Sequence, residues 1–220
     1  LLFILYTAFP TRAFSVYLML SVLNLLDFFF LLTYRLGESQ LAKIASPFLL
    51  DGAEQGGLGL STASVGVIYG TIGVAALLIG GIISGFLVSR DGFKKWIIPM
   101  ALAINLPDLL YVWMAAATPD NLLLISICVA IEQLGYGFGF TAYMLYLIYI
   151  ADGEHKTAHY AIGTGFMALG MMLPGMPAGW IQEHLGYTNF FIWVCVCTIP
   201  GILASWMIRN RLDSSFGKKR

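Results

Sequence analysis

Residues 121–150 read NLLLISICVAIEQLGYGFGFTAYMLYLIYI, and the only charged side chain in the run is Glu132. A bilayer core is crossed by about 20 mainly apolar residues in helical form. Inside hydrocarbon every backbone N–H and C=O must be satisfied within the segment, so a helix is the form this run predicts. Five further runs of the same character lie around it. The first ends at Leu50 and begins near Phe28, or as early as Ser15. The others cover about 62–89, 96–117, 157–180 and 188–208. Polar, Gly- or Pro-bearing stretches separate them: DGAEQGGLGLS, RDGFKK, TPDN, DGEHK and QEHLGYT. The expected fold class is an all-α membrane protein, a six-transmembrane-helix bundle over 28–208 followed by a basic tail, 209–220.

Composition points the same way. Hydrophobic residues make up 59% of the chain and charged residues 11%, against roughly a quarter charged in soluble domains. The net charge of zero leaves no overall basic field, so nucleic acid is not an expected partner. Cys128, Cys195 and Cys197 lie in apolar runs, where a thiol packs as a small hydrophobe. His155 and His159 are four residues apart with Glu154 beside them, but the H-E-x-x-H order and a third ligand are missing. No metal and no cofactor are expected. Residues 1–27 are the end of a preceding segment or an elbow. LLFILYTAF is too short to span, and Asp27 would stand at a bend. The chain opens at Leu1 in mid-hydrophobic run without a charged leader, which predicts a fragment lacking an N-terminal part.

Charge sets the expected orientation. Arg90, Lys94 and Lys95, then Lys156, then Arg209, Arg211, Lys218, Lys219 and Arg220 all fall on one side, and Arg12 with them. The loops 51–61, 118–120 and 181–187 carry no Lys or Arg. The positive-inside rule puts the basic side, including the C-terminus, in the cytoplasm of a multi-pass protein of the cell (inner) membrane.

Charges inside spans are costly and so are functional candidates. In the first run Arg35, Glu38, Ser39, Ala42, Lys43 and Ser46 share a face at 100° per residue. Arg35 and Glu38 fall near mid-depth and can neutralise each other. They are either a structural pair with a snorkelling Lys43, or the polar wall of a water-filled cavity. Asp108 and Glu132 lie at similar depth. A carboxyl group removed from water favours its neutral form and can carry a proton. Glu132, followed by Gln133, is the stronger candidate. Asp108 follows Pro107 and could instead bond a backbone group freed by the proline. Glu132, Tyr136, Gly139 and Tyr143 share a helix face. The glycines of 135–140 and 163–180 permit close helix approach, or with Pro174 and Pro177 a gating kink. The 135–140 stretch is not a nucleotide loop, because it lacks the strand–turn–helix setting.

The stretch GFLVSRDGFKK, 85–95, resembles the loop signature G-x-x-x-D-R-x-G-[RK]-[RK] of the major facilitator superfamily. Gly85, Arg90, Gly92, Lys94 and Lys95 match it, with one residue inserted and Ser89 in place of the usual Asp. Within that superfamily the chain looks like the C-terminal half of AmpG-type muropeptide permeases, which are related to acetyl-CoA transporters. The likeness rests on YRLGE (34–38), IEQLGYGFGFTAY (131–143), TAHYAIGTGFMALG (157–170) and PAGWIQEHLGY (177–187). It implies proton-coupled uptake of peptidoglycan fragments, with a second six-helix half as partner. On that reading Arg35, Glu38, Lys43, Gln133, Tyr136 and Tyr143 bind an anionic solute, and Glu132, Glu38 and Asp108 are the proton-coupling candidates. Two rivals are a transporter-like sensor without flux and a membrane enzyme. The second lacks a convincing nucleophile–base pair or metal set, so an enzyme is not expected.

Overall fold

The computed structural model describes residues 25–151 and 156–219. The LLFILYTAF stretch, Arg12, Ser15, Glu154, His155 and Arg220 lie outside them. The described residues form helices, turns and loops and contain no strand. The helices are α1 (Leu25–Thr33), α2 (Leu36–Leu50), α3 (Thr62–Asp91), α4 (Phe93–Asn105), α5 (Asp108–Ala117), α6 (Leu122–Ile150), α7 (Lys156–Gly175), α8 (Ala178–Cys197) and α9 (Ile199–Arg209). Four stretches among the described residues are long and apolar enough to cross a membrane: Thr62–Asp91, Phe93–Ala117, Leu122–Ile150 and Ala178–Arg209. The molecule is an all-α membrane protein.

Local chemistry explains where the helices start and stop. Ser61 caps α3 by accepting the Ser64 N–H at 3.1 Å, and Asn121 caps α6 by accepting the Leu123 N–H at 2.9 Å. Pro107 has no N–H to continue the ladder, and α4 gives way to α5 there. The Thr198 N–H turns back to the Cys195 carbonyl, which separates α8 from α9. Gly186 stands at φ 72° and kinks α8 within QEHLGYT. In α3, residues Ile68–Gly73 form a π-helical turn.

The tightest packing is glycine-mediated. A Cβ on Gly135 or Gly139, one turn apart, would collide with α4 at the Ala103 and Met100 carbonyls. A Cβ on Gly137, about 200° round the helix from Gly135, would collide with the Leu77 carbonyl of α3. The alternating GYGFGF run thus lets α6 lie flush against two helices at once. In lipid, this kind of van der Waals contact holds helices together.

Two apolar cores result. One joins Leu41, Phe48, Tyr111, Met114, Ile125, Phe191 and Val194. The other joins Phe30, Tyr34, Phe93, Met100, Tyr143, Tyr146 and Ile208. Along α1–α2, α4–α5, α6 and α8–α9, the residues between the two cores include Arg35–Gln40, Asn105–Asp108, Glu132–Gln133 and Thr198. A polar layer therefore lies between the cores, at the level of three helix breaks: 34–35, 106–107 and 198.

Candidate functional site

Arg35 stands at the break between α1 and α2, with φ −110° and ψ 20°. Its Nε donates to Glu38 Oε2 at 2.6 Å and its Nη2 donates to Glu38 Oε1 at 3.1 Å. The same Nη2 donates to the Tyr136 hydroxyl at 2.7 Å. The guanidinium lies 4.8 Å from the Phe140 ring centre and 5.4 Å from that of Tyr136, both on α6. Arg35 and Glu38 are 5% and 6% exposed. A pair this buried survives only because its hydrogen-bonding groups are answered, and loss of one partner would strand the other.

Beside this pair lies a cavity of about 530 Å³. Its polar wall comes from Glu38, Ser46, Thr62, Tyr69, Gln133 and Glu132, with Tyr136 between the cavity and Arg35. Leu41, Ala45, Val65 and Met171 supply apolar wall. Gln133 donates from Nε2 to Glu132 Oε2 at 2.9 Å. The Tyr69 and Tyr111 hydroxyls are hydrogen-bonded at 2.7 Å. The charged side chains on the cavity wall are two carboxylates, and the guanidinium nearest them is already engaged.

Five of the residues singled out from sequence are brought together: Arg35, Glu38, Glu132, Gln133 and Tyr136. Three are not. Lys43 is exposed, and its stem lies over Gly175 of α7, outside the cavity wall. Tyr143 is buried in the second core and donates to the Leu31 carbonyl at 2.8 Å. Asp108 is 1% exposed, and neither carboxylate oxygen has a hydrogen-bond partner. It therefore does not bond a backbone group freed by Pro107. The Ala103 carbonyl, deprived of a donor by that proline, faces Gly135 instead. The loop residues Arg90, Lys94 and Lys95 stand at the basic end, away from the cavity, where Asp91 pairs with Arg90 at 3.0 Å and Lys95 at 3.1 Å.

Sequence reasoning missed Tyr69 and Tyr111. Tyr69 reaches the cavity from the π turn of α3, which no sequence period announces. Tyr111 reads as an ordinary core aromatic of α5. No group of three or more His, Cys, Asp or Glu that could hold a metal ion occurs among the described residues.

The ion pair and the largely apolar cavity beside it point to no particular solute. Comparison with known proteins is more specific. No family model matches the sequence. The chain is 25% identical over 194 residues to AmpG 1 of Rickettsia felis, covering 88% of this chain and 42% of that protein. It is 23% identical over 180 residues to the anhydromuropeptide permease of Escherichia coli K12, covering 82% of this chain and 35% of that protein. It is 24% identical over 205 residues to AmpG 4 of Rickettsia conorii, covering 93% of this chain and 46% of that protein. The resemblance to AmpG-type permeases read from the sequence is thus borne out over most of the chain. These relatives are named as transporters or permeases, not as enzymes. The chain spans less than half of the length of each.

Proposed function

We propose that this chain is the C-terminal six-helix bundle, 28–208, of a major-facilitator-type secondary transporter in the cell (inner) membrane, which takes up an organic anion of the muropeptide kind together with protons. The names of its relatives support the substrate class. Six-helix halves of this type face each other across a midplane site, and a second bundle would supply the other wall of the cavity. The observation that carries the reading is the Arg35–Glu38 pair at the cavity wall. While Glu38 holds the guanidinium, an incoming anion meets no free cation on the cavity wall among the described residues. Protonation of Glu38 would release Arg35 to make charge-assisted hydrogen bonds to the solute. Proton and anion would then enter together. Glu132 faces the same cavity and would take up a proton without a cation to compete for it. Asp108, buried behind both, is the third coupling candidate.

The test uses the complete transporter in membrane vesicles, with an anhydromuropeptide as solute. Arg35→Ala should abolish uptake while insertion persists, and uptake at normal affinity would remove Arg35 from the site. Glu132→Gln mimics the protonated acid. It should lose proton-driven accumulation yet keep exchange of solute, and accumulation under a pH gradient would move coupling to Glu38 or Asp108. Ligand binding without flux in the unaltered protein would favour the sensor. Orientation is testable separately. A cysteine at Asp120 should be labelled from outside intact cells and one at the exposed Lys95 should not; the converse would invert the topology.

A further inference from the structure

The basic end of the bundle carries a built feature outside the cavity. After α9 the chain folds back over the loop between α3 and α4. Leu212 enters the second core, and Phe216 packs edge-on against Tyr149 and Phe93, with ring centres 4.9 and 6.2 Å apart. The Phe93 N–H donates to the Phe216 carbonyl at 3.0 Å and the Lys219 N–H donates to the Ser89 carbonyl at 2.8 Å. Gly92 and Gly217, at φ 92° and 83°, let the two strands of chain meet. A Cβ on Gly92 would stand 3.0 Å from the Lys218 stem, and one on Gly217 would stand 2.7 Å from Val88.

This seating places Lys218 and Lys219 beside Arg90, Lys94 and Lys95. The opposing acids are few. Asp91 is taken by Arg90 and Lys95. Asp213 is turned to the Ser215 N–H and hydroxyl, which hold its carboxyl below the usual range. Cations therefore remain in excess.

Two helix faces run into this platform from the membrane. On α3, Ile82, Phe86 and Arg90 follow at four-residue steps, and the two apolar side chains are 72% and 64% exposed. On α9, Leu203, Trp206 and Arg209 follow at three-residue steps on an exposed side. Each face is an uncovered apolar ridge that ends in a cation, and α4 packs between the two helices. A phospholipid has that same order of parts, acyl chain and then phosphate.

We propose that the tail and the α3–α4 loop together form a binding site for an anionic phospholipid, with its phosphate among Lys94, Lys218, Lys219 and the flanking arginines and its chains along the two ridges. Lys and Arg near an anionic leaflet attract it individually. The folded tail concentrates them at one spot.

The purified chain is reconstituted in nanodiscs of phosphatidylcholine alone or with phosphatidylglycerol, and retained lipid is measured by native mass spectrometry after detergent extraction. Phosphatidylglycerol should be retained preferentially. Lys218→Gln/Lys219→Gln should weaken that retention by about fivefold per cation, and so should Lys94→Gln/Lys95→Gln, which leaves the tail sequence unaltered. Phe86→Ala/Trp206→Ala should also weaken it, whereas a lysine far from the platform, Lys43→Gln, should not. Circular dichroism checks that each variant is folded. Equal retention of both lipids, or undiminished preference in both charge variants, overturns the proposal. Protection from heat by inorganic phosphate equal to that by phosphatidylglycerol, and unaffected by Phe86→Ala/Trp206→Ala, overturns the lipid in favour of the free anion.

Discussion

The two apolar cores and the polar layer between them are built on opposite principles. In the cores, aromatic rings and aliphatic side chains meet at van der Waals distance, and glycines of α6 bring α3 and α4 within backbone contact. Lipid is as apolar as these side chains, so their burial brings no hydrophobic gain of the kind that drives folding in water. Their contribution depends on fit. In the layer, helices are broken, carboxylates outnumber the one guanidinium, and Arg35, Glu38, Tyr136, Glu132 and Gln133 each depend on a named neighbour, while the Asp108 carboxyl has no hydrogen-bond partner. The lesson is that the cores should fail by gradual loss of fit, whereas the layer should fail abruptly when a partner is removed.

Arg35→Ala tests this most severely. It leaves the buried Glu38 carboxylate without its counter-ion and should cost about 3–5 kcal/mol of stability. Adding Glu38→Gln should recover much of that cost in unfolding measured in bicelles; no recovery would mean the pair is not coupled as described. Next comes Gly137→Ala. A methyl group at the α3–α6 contact must push against the Leu77 backbone, for about 1–3 kcal/mol. A silent Gly137→Ala would show that the cores are looser than their geometry. Tyr69→Phe removes one hydroxyl from the pair with Tyr111 and should cost about 0.5–1.5 kcal/mol. A much larger loss would assign the π turn a structural as well as a cavity role. Smallest of all, Gly165→Ala, with nothing within 4 Å of its Cβ position, should stay within about 0.5 kcal/mol of zero. Thermal unfolding of the four variants in one lipid composition would rank them.

The difference between core and layer also governs what could be read from sequence. Four of the six apolar runs, 62–89, 96–117, 121–150 and 188–208, fall on stretches long and apolar enough to cross a membrane. Among the described residues 28–50 and 157–180 do not, the former because the helix breaks at 34–35 and polar residues interrupt it. GYGFGF announced close packing because only glycine lets backbones touch. Charges at 35, 38 and 132 announced themselves by their cost in hydrocarbon, and they do converge. Lys43 did not join them, because a long stem can lie along a neighbouring helix and leave the site. Tyr143 shares a helix face with Tyr136 but lies two turns further along, inside a core. Asp108 was legible as buried but not as unpartnered, since a partner depends on how α4 breaks at Pro107. The two missed tyrosines follow from helix irregularity, which leaves no period to detect.

That irregularity in α3 has a consequence of its own. A π turn holds more residues than an α turn, so the part of α3 before Ile68 is rotated relative to where Val74–Asp91 alone would aim it. Thr62, Val65 and Gly66, with Tyr69 itself, owe their place on the cavity wall to that offset. Removing Gly70 would convert the turn to regular helix without deleting any side chain that bonds in the site. The residue lost and the winding regained each amount to about 100° and cancel, so Thr62, Val65 and Gly66 would keep their aim at the cavity and only residues inside the turn, Tyr69 among them, would be re-aimed. The turn thus absorbs one residue between the two parts of the helix, so a chain lacking that residue would present the same wall from Thr62 to Gly66 and differ only at Tyr69.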